Sequence, residues 1–178
     1  MPPAPLDVRT LFRAHYASIW RLLRRLGVPP PQLDDAAQEV FWVAARKLDR
    51  IELGKQHAFL YGVALRVAAG ELRRCSSAPP RADGEVLQRL ADPEPSPEER
   101  LERARARALL DAVLDRLPLE LRSVFVLFEL EGVDVRSIAE IEGIPVGTVG
   151  SRLRRAREEF SAQAKRVRAA LSAGRRSA

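Results

Sequence analysis

Residues 134–157 read DVRSIAEIEGIPVGTVGSRLRRAR, and the fold follows from this stretch. Asp134 is suited to cap a short helix over 135–142, and Gly143 to close it. A tight turn, Glu142-Gly143-Ile144-Pro145, leads into a longer basic helix. That helix starts near Pro145 or Val146 and runs to about residue 170. A short helix, a tight turn and a longer basic helix form the pattern of a helix-turn-helix. Projected at helical spacing, Val149, Leu153, Ala156 and Phe160 share one face. Gly147, Ser151, Arg154 and Arg155 fall opposite, with Thr148, Arg152 and Arg157 on the flanks. Arg reads guanine O6 and N7 in a major groove, and Thr or Ser binds phosphate or base edges. The helix N-terminus favours phosphate, and Gly147 permits close backbone approach. A solvated amphipathic helix carrying Arg for solubility has the same pattern. The Ile-Pro turn and the short preceding helix favour DNA binding over it.

Two more helices precede this motif. One covers 98–116 and is stopped by Pro118. The other covers 119–130, holds the dense apolar cluster Val124, Phe125, Leu127 and Phe128, and ends at Gly132. Further upstream, residues 76–97 hold five of the chain's 13 prolines and read as a linker. Leu87 and Leu90 offer at most one transient turn there. Three helices lie before the linker. The first, about 7–27, has Leu11, Phe12, Ile19, Leu22, Leu23 and Leu26 at helical spacing and stops at Gly27 and Pro29-Pro30-Pro31. The second, from about Leu33 to Leu48, has Asp34 or Asp35 as N-cap, with Asp35 and Gln38 resembling a capping box. Its inward stripe is Ala36, Ala37, Val40, Phe41, Ala44 and Leu48. The third, about 56–74, turns Leu60, Val63, Ala64, Val67 and Leu72 inward. The expected fold is all-α: two small helical domains, 1–75 and 98–178, joined by the Pro-rich linker 76–97. Past the motif, residues 163–178 carry Lys165, Arg166, Arg168, Arg175 and Arg176. They read as extra phosphate affinity or, preferably, as a frayed solvated tail.

The 178 residues carry a formal charge of +6, distributed unevenly. Residues 1–78 hold 12 basic and 7 acidic side chains, residues 79–150 hold 9 and 15, and residues 151–178 hold 9 and 2. Two separated basic blocks suggest a polyanion held at two places. Of the 30 basic residues 27 are Arg, which suits bidentate phosphate and guanine contacts. A GC-rich genome explains that bias equally well. The length excludes a TIM barrel, and the single Cys75 excludes a disulfide framework or a multi-cysteine zinc site. No apolar run approaches the roughly 18 residues of a membrane span. The first residues lack the basic and apolar regions of a signal peptide. A cytoplasmic location without membrane insertion is the expectation, and neither a metal nor a cofactor is expected.

Three further constellations bear on function. The second helix has an outward stripe of Asp35, Gln38, Glu39, Trp42 and Arg46. It reads equally as a protein-docking surface built around a Trp or as a charged solvent face with Trp42 tucked into the core. The third helix has Phe59, Arg66, Arg73 and Arg74 on one side, with Tyr61 nearby. Aromatics mixed with Arg suit single-stranded nucleic acid, although spacing alone favours ordinary core plus solvated Arg. An enzyme reading has little support. Asp34, Asp35 and Glu39 imitate a metal-binding cluster without a second acidic motif to complete it. His15 reads as partly buried and structural. Phosphate loops, Ser-His-Asp signals and zinc spacings are absent.

Three passages together resemble bacterial RNA polymerase sigma factors of the compact extracytoplasmic-function (ECF) group. They are Leu33-Asp34-Asp35-Ala36-Ala37-Gln38-Glu39-Val40-Phe41, Leu114-Asp115-Arg116-Leu117-Pro118 with the apolar helix after it, and Ile144 through Leu153 with Arg155-Ala156-Arg157. The resemblance covers about residues 8–75 and 98–162. It implies that Asp35, Gln38, Glu39 and Trp42 dock onto core RNA polymerase, at the β′ clamp helices, with the β subunit as a further partner. It also implies that Phe59, Tyr61, Arg66, Arg73 and Arg74 help melt and read a single-stranded −10 element. Gly147, Thr148, Ser151, Arg152, Arg154 and Arg155 would read a double-stranded −35 element. An anti-sigma factor is implied as a further partner, and the chain would position DNA without catalysing a reaction. The sequence departs from the family pattern at Leu65-Arg66, where Arg-Asn is common, and at Gly70, where Asp is common. Phe59 stands for the usual Trp, and Ser137 for the usual Glu. Gly150 replaces a common basic residue, which shifts base contacts onto Arg154 and Arg155.

The rival reading is a stand-alone helix-turn-helix regulator whose N-terminal unit dimerises or senses a signal. The stripe at Asp35, Gln38, Glu39 and Trp42 separates the two, because only a polymerase subunit requires it.

Overall fold

Asp7 opens the first helix by accepting a hydrogen bond from the Thr10 amide at 3.3 Å. A computed structural model describes residues 7–76 and 97–174 of the chain, and no strand occurs among them. The helices are α1 (Val8–Arg25), α2 (Leu33–Arg46), α3 (Gln56–Ser76), α4 (Pro97–Leu114), α5 (Leu119–Phe125), α6 (Val135–Glu142) and α7 (Val146–Gly174). Most of the expected linker, with Leu87 and Leu90, lies outside the described residues.

The start of α2 differs from the expected capping box. Pro30–Gln32 form a 3-10 turn that runs directly into Leu33, so Gln32 occupies the cap and makes no side-chain cap bond. Asp34 and Asp35 therefore fall inside the first helical turn, where their charge still suits the helix dipole. Asp34 accepts instead from the Tyr16 hydroxyl at 3.1 Å and the Trp20 indole at 3.0 Å, tying α1 to α2. At the other end, α2 stops at Arg46 and a 3-10 turn, Leu48–Arg50, follows.

The predicted 119–130 helix is α5 followed by a wider π-helical turn, Val126–Leu130. Asp134 does cap α6, accepting from the Arg136 and Ser137 amides at 3.0 and 3.1 Å. Gly143 then takes φ +68°, a left-handed conformation that reverses the chain before Pro145. The C-terminal segment is not the frayed tail anticipated from its composition. α7 continues to Gly174, and Val167 is buried against Val113 of α4 and Leu117 in the turn after it. A buried apolar residue two turns past Phe160 supplies the packing that holds this helix. Residues 175–178 lie outside the described set.

α1, α2 and α3 pack on one another, and α7 packs on α4, α5 and α6. One contiguous buried cluster runs through both groups, from Leu11, Leu23 and Leu26 through Leu60 and Val63 to Leu127, Ile138 and Val149. Burying each such aliphatic side chain contributes about 1.5–3 kcal/mol.

The two groups also meet through polar contacts. Arg24 pairs with Asp111 at 3.4 Å, and Arg25 with Glu131 at 2.6 Å. Arg122 is buried, and its guanidinium donates to the carbonyls of Leu26 (2.9 Å) and Leu117 (3.1 Å) and to Asp115 (3.3 Å). Gly27, at φ +95°, makes room for it: a Cβ there would lie 1.8 Å from an Arg122 nitrogen.

Candidate polymerase and nucleic-acid interfaces

α2 buries Ala36, Ala37, Val40, Phe41 and Ala44. That packing turns Asp35, Gln38, Glu39 and Trp42 outward, and all four are exposed. Trp42 is 66% exposed, so the alternative in which it tucks into the core is excluded. Asp34 is exposed as well, but its carboxylate is engaged by the Tyr16 hydroxyl and the Trp20 indole. Among the described residues no group of three His, Cys, Asp or Glu could hold a metal.

α3 presents a divided face. Arg66, Arg73 and Arg74 are exposed, and Arg74 pairs with Glu71 at 2.6 Å. Phe59 is half-buried against the core. Tyr61 is only 4% exposed, and its hydroxyl donates to Glu131 at 2.9 Å. Burial, followed by the Glu131 carboxylate, pushes the Tyr61 phenol well above its ordinary range. Next to it the His57 ring stacks on Tyr61 at 5.3 Å and meets His15 edge-on at 4.5 Å. Burial holds His15 below the usual histidine value, in line with a structural residue.

In the helix-turn-helix, Val149, Leu153 and Ala156 are buried, and Phe160 stacks on Phe125 with ring centroids 4.6 Å apart. This anchoring leaves Gly147, Ser151, Arg154 and Arg155 exposed and Thr148 half-exposed. A Cβ at Gly147 or Gly150 would meet nothing within 4 Å, so this flank opens to solvent. The Ser151 hydroxyl donates to the Thr148 carbonyl at 2.9 Å.

The arginines of α7 differ in their freedom. Arg154 pairs with Glu158 at 3.3 Å on an exposed surface, a weak tether. Arg152 is more firmly held, donating to Glu142 at 3.1 Å. Arg157 donates to Glu129 at 2.7 Å and lies over the Phe128 ring, which ties α7 to the π-helical turn after α5. Burial raises the Glu142 carboxyl above its ordinary value, against the opposing effects of Ser123 and Arg152.

Glu131, Glu142 and Arg122 were not singled out from sequence. Each acts on a partner in another helix or turn, and periodicity along one helix carries no such information. One usable signal was the uncharged run Leu60–Ala64, too broad an apolar arc for a helix buried on one side only.

A family model for sigma-70 region 2 matches residues 11–77, and one for sigma-70 region 4 matches residues 107–160. The ECF RNA polymerase sigma-E factor of Escherichia coli K12 is 32% identical over 143 residues, covering 74% of this chain and 73% of the relative. This chain is an ECF sigma factor of the sigma-70 family. The ECF sigma factor SigE of Mycolicibacterium smegmatis is 30% identical over 150 residues, covering 84% of this chain. The aligned region spans 58% of that relative's length.

Two solved structures share the fold. CnrH, in complex with the cytosolic domain of CnrY, has a TM-score of 0.61 at 24% identity, covering 87% of this chain and 85% of that one. Bartonella quintana RpoE, in complex with the anti-sigma factor NepR, has a TM-score of 0.66 at 17% identity, covering 88% and 96%. No described helix of this ECF sigma factor is long and apolar enough to cross a membrane.

Proposed function

We propose that this ECF sigma factor binds core RNA polymerase and directs it to promoters, reading −35 duplex and −10 single-stranded DNA. The observation that carries this reading is the exposed stripe Asp35, Gln38, Glu39 and Trp42, present in the same chain as an exposed helix-turn-helix face. A stand-alone regulator has no use for such a stripe. In this reading residues 1–75 bind polymerase and −10 DNA, and residues 98–178 bind −35 DNA. Gly147, Thr148, Ser151, Arg154 and Arg155 contact the duplex, with Arg152 held at its flank by Glu142. Phe59, Tyr61, Arg66, Arg73 and Arg74 serve the single strand. Polymerase performs the nucleotidyl transfer, and this chain supplies position and sequence preference. The anti-sigma complex of the structurally similar RpoE supports an anti-sigma partner here.

The test is a double charge reversal, Asp35→Lys with Glu39→Lys. Both side chains are exposed, so helical content by circular dichroism stays at the parent level. Affinity for core polymerase drops by about 100-fold, as expected when two charges at a docking centre are reversed. Undiminished polymerase binding overturns the assignment.

A further inference from the structure

α7 spans 29 residues, and the region 4 match ends at residue 160, about halfway along it. The half past that point has its own anchor. Val167 is buried with Val113 and Leu117 in a small cluster set apart from the main core, with Leu109, Phe160 and Ala164 packed around it. Gln163 is buried as well and donates to Glu159 at 2.6 Å. Val167 follows Val149 by about five helical turns, so one buried stripe runs along α7 from Val149 through Leu153 and Ala156 to Val167. The face opposite that stripe is therefore continuous too.

Charge recurs along this outer face. Arg154 and Arg155 are followed about three turns later by Lys165 and Arg166, in the same register. All four are exposed. Residues 161–174 hold three basic side chains, Lys165, Arg166 and Arg168, and no acidic one. Glu158 shares the face, but Arg154 takes it up at 3.3 Å. Among the described residues neither Lys165 nor Arg166 has an ion-pair partner. The helix dipole does not account for them. Its attraction for cations is confined to the last turn, and both residues lie about two turns before Gly174. Solubility does not account for the anchor, because solvated cations need no buried cluster to hold their direction.

Lys165 stands about 16 Å along the helix axis from Arg154. A major groove is about 12 Å wide. With Arg154 at the base edges, Lys165 and Arg166 lie past the wall of the groove, where the sugar-phosphate backbone runs. We infer that the anchored half of α7 is a phosphate clamp, in which Lys165 and Arg166 hold the DNA backbone beside the −35 duplex and add affinity without reading bases. This rests on the reading of the first half of α7 as the −35 reader. Such a contact serves every sequence alike, and it weakens with salt as counterions return to the DNA.

The test uses the full chain and a pool of random-sequence duplexes of about 24 base pairs, long enough to pass two turns of DNA. Affinity is followed by fluorescence anisotropy from about 0.05 to 0.2 M salt, and the bound fraction is sequenced. Lys165→Gln with Arg166→Gln should reduce the slope of log affinity against log salt by about 2 and weaken binding about tenfold at the upper salt. The enriched sequences and the affinity for core polymerase should remain those of the parent. Arg155→Ala should instead change the enriched sequences. Val167→Gly keeps every charge and removes the anchor, and it should lose part of the salt slope as well.

A parental slope in the double Gln variant or in Val167→Gly overturns the inference. So does parental duplex binding with weakened polymerase affinity, which gives this face to a protein partner. If the double Gln variant loses slope while neither the parent nor Arg155→Ala enriches any sequence, the phosphate contact stands and the −35 reading falls. Failure of the parent to bind the pool even at the lowest salt overturns both.

Discussion

α2 and α3 share one buried core, yet they treat their outward residues in opposite ways. α2 buries a narrow stripe and leaves Trp42 in solvent. α3 buries Leu60, Tyr61, Val63, Ala64, Val67 and Ala68, a wider arc, because α6 covers its second side. An aromatic residue beside Arg therefore means different things on the two helices. On α2 it is surface available to a partner. On α3 it is part of a contact between the two halves of the chain. Helical periodicity tells which direction a side chain leaves its own helix, and it says nothing of what stands in that direction.

The largest effect expected comes from weakening the core both helices rest on. Leu23 is fully buried in α1, and Leu23→Ala should cost about 3 kcal/mol through lost transfer energy and the cavity left behind. Urea unfolding measures it. A change under about 0.5 kcal/mol would mean that the core is not shared as described.

A sharper contrast pairs the two aromatics. Trp42→Ala should leave folding stability within about 0.5 kcal/mol while reducing polymerase affinity by about 2 kcal/mol. Tyr61→Phe should do the reverse: about 1 kcal/mol of folding stability is lost with the Glu131 hydrogen bond, and polymerase affinity is unchanged. Equal behaviour of the two variants in both assays would erase the distinction between an open and a covered face.

The smallest effect concerns Glu142, at the junction of α6 and α7. Its carboxyl is raised by burial above the ordinary 4.5. The folded state therefore binds its proton more readily than the unfolded state. This group lowers stability above its folded value, and the penalty disappears as pH falls through that value toward 4.5. Glu142→Gln removes the titration, so the variant's stability should be flatter over that window. Parallel pH profiles of the two proteins would show that Glu142 does not titrate there.

Much of the fold was legible in the residues. Asp134 and Gly143 delimit α6 because each satisfies a local backbone requirement, a free amide pair at one end and a left-handed turn at the other. Val149, Leu153 and Ala156 lie inward because an apolar repeat near 3.6 residues leaves one face to bury. The cap of α2 was misread because the 3-10 turn at Pro30–Gln32 had already set the helix entry, which moved Asp34 into a bond with α1. The helix was expected to run to about residue 170, but its packing past Phe160 was missed because it depends on Val113 of α4 and Leu117 just after it, about fifty positions away in the chain.

The sequence by itself determined the seven α-helices found among the described residues and which residues of α2 and α7 turn outward, since caps, breakers and periodicity are properties of neighbouring residues. Only the tertiary structure decided that Tyr61 is covered, that Glu131 bridges it to Arg25, and that Arg122 needs the space at Gly27. Those contacts join residues 70 and more positions apart. Their energy depends on burial and on a few tenths of an ångström, quantities that exist only once the two halves have met.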